Sequence, residues 1–325
     1  MFDITAKRFT NEAAARKHLE AVRWPDGPIC PHCGVIGNAT RIKGKTARKG
    51  LWSCSDCRRQ YTVTVGTVFE RSKIPLHKWL LATELMCSSK KGISAHQLHR
   101  MLGITYKSAW FMAHRIREGM RPAKHDSPLG GKGKTVEADE TFIGGKAKNM
   151  HRSKRPTKRI GGSWGKETVF SLVERQGHVR SVHTPSVSAK TLRPILFAQV
   201  DRKSFLMTDD AGQYRHMHHH YKHEVVNHSA GEYVRGEAHT NTIENYFSIL
   251  KRGITGTYHH VSQQHLKRYL AEFDFRYNER SGLGVDDEAR TNKALQGIGG
   301  KRLTYRRIDI RQRDNIVQLP PRRLN

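Results

Sequence analysis

Four cysteines restrict this chain more than any other feature. Cys30 and Cys33 lie in ICPHCG and Cys54 and Cys57 in WSCSDC, a C-x2-C-x20-C-x2-C array. Two knuckles of paired thiolates are what tetrahedral Zn2+ requires, and they oblige the chain between them to leave and return. Gly34, just after the first pair, allows the positive φ of such a knuckle. TRIKGKTARKGLWS reads as the returning hairpin and RRQYTVTVGTVF as a continuing strand, the pattern of a zinc ribbon. Four thiolates close the coordination shell, so the single Zn2+ is structural, and His32 is not needed as a ligand. The hairpin carries Arg41, Lys43, Lys45, Arg48 and Lys49, a tip suited to phosphate or simply solvated. The fifth cysteine, Cys87, falls in the helical run HKWLLATELMCSS and reads as a buried core thiol.

Charge narrows the partners. The 58 Lys+Arg against 29 Asp+Glu leave a net charge of +29. That excess calls for a polyanion, and nucleic acid comes first. No run of about 18 apolar residues exists, so no membrane span is expected. MFDITAKRFT lacks the apolar centre of a signal peptide. A cytoplasmic place is therefore expected, where paired cysteines mean metal rather than disulfides.

The chain reads as a multidomain α/β protein in five parts. Residues 1–70 hold an N-terminal helix, capped by Thr10 or Asn11, and the zinc ribbon. Residues 71–122 are helical in pattern; around Gly103-Ile104-Thr105 they suit a DNA-reading helix-turn-helix or an ordinary helical hairpin. In the DNA-reading case the second helix would present Lys107, Arg115 and Arg117. Residues 123–134 read as a linker, 135–280 as an RNase H-like mixed-sheet domain, and 281–325 as an irregular basic tail. A loop over 145–166 holds eight Lys/Arg and no acid, Lys146 and Lys148 among them. Pro194 falls late in a predicted helix and should shorten or bend it.

Against this basic background, TVEADETFIGGK stands out. Carboxylates are poor strand formers, yet Glu137, Asp139 and Glu140 sit in one strand. Alternation puts Glu137, Asp139 and Thr141 on one face and Glu140 on the other. The element order from 135 is strand, strand, strand, helix, strand, strand, helix. It carries Asp139 on its first strand, Asp209 or Asp210 at the end of its fourth, and Glu244 at the start of the helix that follows. An RNase H-like sheet has that order and brings its first and fourth strands together. Two-metal phosphoryl transfer needs such a cluster, because Mg2+ takes oxygen ligands. Each residue has a plainer reading. Glu244 stands three after Asn241, as in a capping box, and either aspartate could end the strand in an Asx turn. The residues alone do not choose between Asp209 and Asp210. HMHHHYKH offers His216 with His220, and His219 with His223, at i, i+4 spacing, but no carboxylate motif accompanies them. His239, five before Glu244, is a candidate proton shuttle or phosphate ligand.

CPHCG…WSCSDCRRQYTVTVGTVFE, VEADETFIGGK, TDDAGQY, VNHSAGEYVRGEAHTNTIENYFSILKRGITGTYHHVS and HLKRYLAEFDFRYNER resemble the zinc-ribbon insertion-sequence transposases of the ISXO type. The resemblance runs from about residue 10 to 280, in long and specific motifs. It implies an RNase H-like DDE domain with Asp139 as first carboxylate. The T-D-x4-Y pattern selects Asp209 as second, with Asp210 kept as an auxiliary candidate, and H-T-N-x-I-E places Glu244 third. It further implies Mg2+ (or Mn2+), two ions at these carboxylates, and DNA cleavage that exposes a 3′-OH, then joining to target DNA. Double-stranded DNA, both transposon ends and target, is the implied partner. So is a homo-oligomer holding two ends, near the bacterial nucleoid. Lys251 and Arg252, beyond Glu244, would then meet the DNA backbone. Two other classes compete: a zinc-ribbon DNA-binding regulator with a non-catalytic scaffold, and a nuclease for RNA–DNA hybrids. The intact triad speaks against the first and the N-terminal DNA-reading modules against the second.

Overall fold

The structure, a computed structural model, describes residues 3–122, 127–145, 151–154, 165–226, 234, 236 and 238–304. Lys146, Lys148 and most of the basic loop around them lie outside the described residues.

Helices α1 (Lys7–Thr10) and α2 (Glu12–Arg23) open the chain, and Asn11 caps α2 by accepting from Ala13 N and Ala14 N. An antiparallel sheet follows, β1 (Ala39–Arg41), β2 (Trp52–Cys54) and β3 (Gln60–Tyr61), in that order. Next come α3 (Leu76–Ser88), α4 (Ala95–Leu102) and α5 (Tyr106–Gly119). Gly103 ends α4 at φ 57°, and Thr105 caps α5 by accepting from Ser108 N. Left-handed backbone there suits glycine, which lets the chain reverse within Gly103-Ile104-Thr105.

The second half holds β4 (Thr135–Ile143), β5 (Glu167–Glu174), β6 (Val179–Thr184), α6 (Ala189–Gln199), β7 (Phe205–Asp209), β8 (Lys222–Val226), α7 (Asn241–Gly253) and α8 (Gln263–Asn278). The sheet order is β6-β5-β4-β7-β8; β4–β5 and β5–β6 are antiparallel, β4–β7 and β7–β8 parallel. The first and fourth strands of this half are therefore neighbours. Strand alternation sorts the two faces. Val136, Ala138, Phe170, Leu172 and Leu206 pack under Leu192 and Leu196 of α6. Ile143, Val169 and Val173 pack under Ile243, Phe247 and Leu250 of α7 and Leu266 and Leu270 of α8. The sheet is thus covered by helices on both faces. Helix α6 runs through Pro194 to Gln199 rather than stopping short.

Two expectations about organisation change. Leu19 of α2, Tyr61 of the ribbon, Trp79 of α3, Leu98 of α4 and Met112 of α5 share one core, so residues 1–70 and 71–122 are a single packed unit. Residues 281–325, read as an irregular tail, contain α9 (Asp287–Gln296), whose Ala294 and Leu295 enter that same core with Ile298. The charged run DDEARTNK concealed this helix. Asp286 caps it through Ala289 N, and only its last turns are apolar.

Arg115 and Arg117, expected to face DNA, are buried. Arg117 is 2% exposed, and its Nε donates to Glu272 of α8 at 2.6 Å. Its guanidinium lies over the Tyr269 ring at 4.1 Å. Arg115 Nη2 donates to the Glu70 carbonyl at 2.6 Å, and its guanidinium lies over Trp79 at 5.1 Å. Helix α5 is enclosed by α8 on one side and by the segment before α3 on the other. Its cations therefore join elements together. Lys107, in the first turn of α5, is exposed.

Candidate functional site

The cysteine site forms from two knuckles. Sγ of Cys30 and Cys57 are 3.6 Å apart, as are Sγ of Cys33 and Cys54, and all four sulfurs lie within 4.8 Å of one another. A tetrahedron with Zn–S bonds of about 2.3 Å has edges of about 3.8 Å. The set therefore fits structural zinc. Gly34 turns the first knuckle at φ 81°. The backbone N–H of Cys57, and then that of Asp56, points at Cys54 and draws its thiol down to about 7. Trp24 stacks edge-on against both Trp52 and Tyr61, fixing the ribbon to α2. Replacing Cys30 with Ser should remove the ribbon's one zinc ion per chain after dialysis and loosen the ribbon. Metal analysis checks this; full zinc retention would contradict the four-thiolate site.

The second site arises from register. Glu137 pairs with Met207 across β4 and β7, where that parallel ladder stops. Two residues further along each strand come Asp139 and Asp209, on the same face. Asp210 falls beyond β7 and is exposed, whereas Asp209 closes the strand half-buried. Helix α7 then brings Glu244 over that face. Its first turn is tied down by Glu137, which accepts from Ile243 N at 2.9 Å and from Arg175 Nε at 2.7 Å. Helix N-termini expose N–H groups that want such an acceptor. Thr240 donates its hydroxyl to Glu244 Oε1 at 3.2 Å. The capping position is Thr240 rather than Asn241, so the capping-box spacing does not apply.

Asp139, Asp209 and Glu244 line one cavity of about 530 Å³, with Glu140, Thr141, Phe247, Ser248, Lys251 and Arg252. Glu140 was assigned to the opposite face by alternation, yet its carboxylate reaches the same opening. Tyr214 Oη donates to it at 2.6 Å, and Gln213 Nε2 lies at 3.2 Å. Both residues belong to the connection leaving Asp209, so that connection brings Glu140 into the group. Its place beside Asp139 in the Asp-Glu pair was the one signal in the sequence.

Burial pushes Asp139 up to about 8, and the charges of Asp209, Glu140 and Glu244 add to it. Burial likewise pushes Glu140 up to about 7, against the hydrogen bond from Tyr214. Acids gathered away from water in this way are relieved by a bound cation. The donors are all carboxylate oxygens, which suits Mg2+ or Mn2+. Unlike the thiols, no three of these carboxylates bring oxygens within 4.8 Å of one another. They stand around an opening.

His239 does not line the cavity. Its Nδ1 sits 3.4 Å from Glu137 Oε1, without hydrogen-bond geometry, and its carbonyl accepts from Arg175 Nη2. His239, a candidate proton shuttle or phosphate ligand by its place in the sequence, thus packs beside Glu137 and Arg175 behind the first turn of α7. Lys251 and Arg252 are exposed on the cavity's rim. No described helix is long and apolar enough to cross a membrane.

Comparison with known proteins adds the following. Residues 128–278 match the ISXO2-like transposase domain, and residues 10–60 match the transposase zinc-ribbon domain. A protein of the transposable element ISH50 from Halobacterium salinarum is 28% identical over 280 residues, covering 83% of this chain and 92% of that protein. Two solved structures show slight likeness. One is a pre-cleavage Mos1 transpososome (TM-score 0.25, 11% identity, 64% of this chain and 72% of that one). The other is a simian T-cell lymphotropic virus intasome in complex with PP2A regulatory subunit B56 gamma (TM-score 0.26, 13% identity, 55% of this chain). The latter match spans 63% of that chain, less than two thirds of its length. At these TM-scores neither structure bears on the fold or the chemistry.

Proposed function

We propose that this chain, with an ISXO2-like transposase domain behind a transposase zinc ribbon, is a working insertion-sequence transposase. It cleaves DNA at the 3′ ends of its element and joins them to target DNA. One observation carries the reading: Asp139, Asp209 and Glu244, from three distant elements, line a single cavity. Bound there, Mg2+ or Mn2+ would neutralise the phosphodiester and polarise the attacking oxygen. The chain's own part is positioning. The Glu137–Arg175 pair holds the first turn of α7, Thr240 orients Glu244, and Gln213 and Tyr214 orient Glu140. Lys251 and Arg252 hold the DNA backbone at the rim, with net charge drawing it in. Water attacks first and the freed 3′-OH second, so no covalent protein–DNA link is needed.

The sheet order supports an RNase H-like catalytic fold, and α4–α5 serves as a helix-turn-helix for end recognition. Only the first turn of α5, with Tyr106 and Lys107 exposed, meets DNA. Holding two ends together calls for a homo-oligomer. The test is incubation of the full chain with a duplex bearing the element's own end, a plasmid target and Mg2+ or Mn2+. Nicked ends carrying 3′-OH and end–plasmid joints are expected. End binding without either product would favour a DNA-binding regulator on a non-catalytic scaffold.

A further inference from the structure

The connection from β7 to β8 carries a second group of candidate ligands. Sequence spacing pairs His216 with His220 and His219 with His223, but the backbone separates them. His220 packs edge-on against Phe197, and His223 Nε2 lies 2.9 Å from Thr208 Oγ1. A 3-10 turn over Met217–His219 gathers a different set. His216, His218 and His219 each bring one ring nitrogen within 4.8 Å of the others. The His218 and His219 rings are 4.1 Å apart, and His216 lies at 10° to His219 with centroids 5.9 Å apart.

Three further features single this set out. Met217, between the histidines, is 1% exposed and anchors the turn in the core under α6. His216 is held at φ 66°, a left-handed conformation that side-chain-bearing residues seldom adopt, and this aims it at the other two. All three rings are exposed, so their nitrogens are open to an ion arriving from solvent. The carboxylate cavity is lined by other residues, so the two sites are distinct.

We propose that His216, His218 and His219 form a tri-imidazole site for a divalent transition metal, Zn2+ or Ni2+, with its outer positions open to solvent. Neutral imidazoles suit such ions and do not suit Mg2+. Ring nitrogens about 2.1 Å from a tetrahedral ion lie about 3.4 Å apart, which rotamer changes of exposed side chains can reach. An ion here ties down the connection whose Gln213 and Tyr214 orient Glu140.

The full chain with its ribbon loaded with zinc is dialysed against Ni2+ in millimolar Mg2+, which occupies the carboxylates. One additional Ni2+ per chain should bind, without a thiolate charge-transfer band. The Asp139→Asn variant should keep it. The double variant His218→Ala/His219→Ala should bind it at least roughly 100-fold more weakly and keep its ribbon zinc. No additional ion in the wild-type chain would overturn the proposal. So would undiminished binding by the double variant, or a thiolate band showing entry into the ribbon.

Discussion

The Asp139→Asn variant is expected to bind element ends normally and to yield neither nicked ends nor joints. Asp139 sits at the middle of the carboxylate group, with its backbone held by the β4–β5 ladder opposite Ser171. On the proposed function, the change leaves only Asp209, Glu244 and Glu140 to hold cations in the cavity. Loss of a directly coordinating carboxylate should exceed the roughly 10- to 100-fold effect typical of residues one step further out. The fold should tolerate the change, because burial already disfavours the ionised form of this carboxyl. Cleavage and joining assays, paired with a gel-shift titration, measure both halves. Retained strand transfer in Mg2+ would sink the assignment of Asp139.

The second large effect concerns stability, at a residue whose sequence context pointed to DNA. Arg117→Ala should cost about 1.5–3 kcal/mol, because it removes one of the two cations on the buried Glu272 charge and leaves Arg276 and the Tyr258 hydroxyl to hold it. Both side chains are almost fully enclosed, 3% and 0% exposed. Burial alone would raise the Glu272 carboxyl, but Arg117 and Arg276 hold it down to about 2. A depressed carboxylate stabilises the fold above its ordinary range and loses that contribution as pH falls towards 2. The pair therefore acts throughout the neutral range. Urea unfolding of the variant should show a clearly lower midpoint, while folded protein kept cool binds element ends within a few-fold of wild type. An unchanged midpoint with lost end binding would restore Arg117 to the DNA surface. The same contact joins α5 to α8, so the N-terminal helical unit packs against the carboxylate-bearing half.

Much of this protein was legible from short-range pattern. The cysteine array specified four sulfurs around one ion, since ligand spacing encodes a knuckle directly. Element order from Thr135 placed Asp139, Asp209 and Glu244 where strand ends and a helix start converge. Alternation along β4 assigned faces correctly for Val136, Glu137, Ala138 and Asp139. It holds for Glu140 too, whose carboxylate meets Gln213 and Tyr214 on the side of Val136 and Ala138, but it did not reveal that the cavity takes in acids from both faces.

What remained depended on partners far off in the chain. A lone arginine reads the same whether it meets phosphate or a carboxylate 155 residues away, as Arg117 meets Glu272. The role of Glu137 required the first turn of α7, 106 residues on. Helix α9 gained its place only against α3 and the N-terminal core. The strand that carries Asp139 was evident in the sequence as an acidic stretch out of keeping with its surroundings. Only packing decided which acids share its cavity, because burial and electrostatic partnership belong to surfaces that the chain forms after it folds.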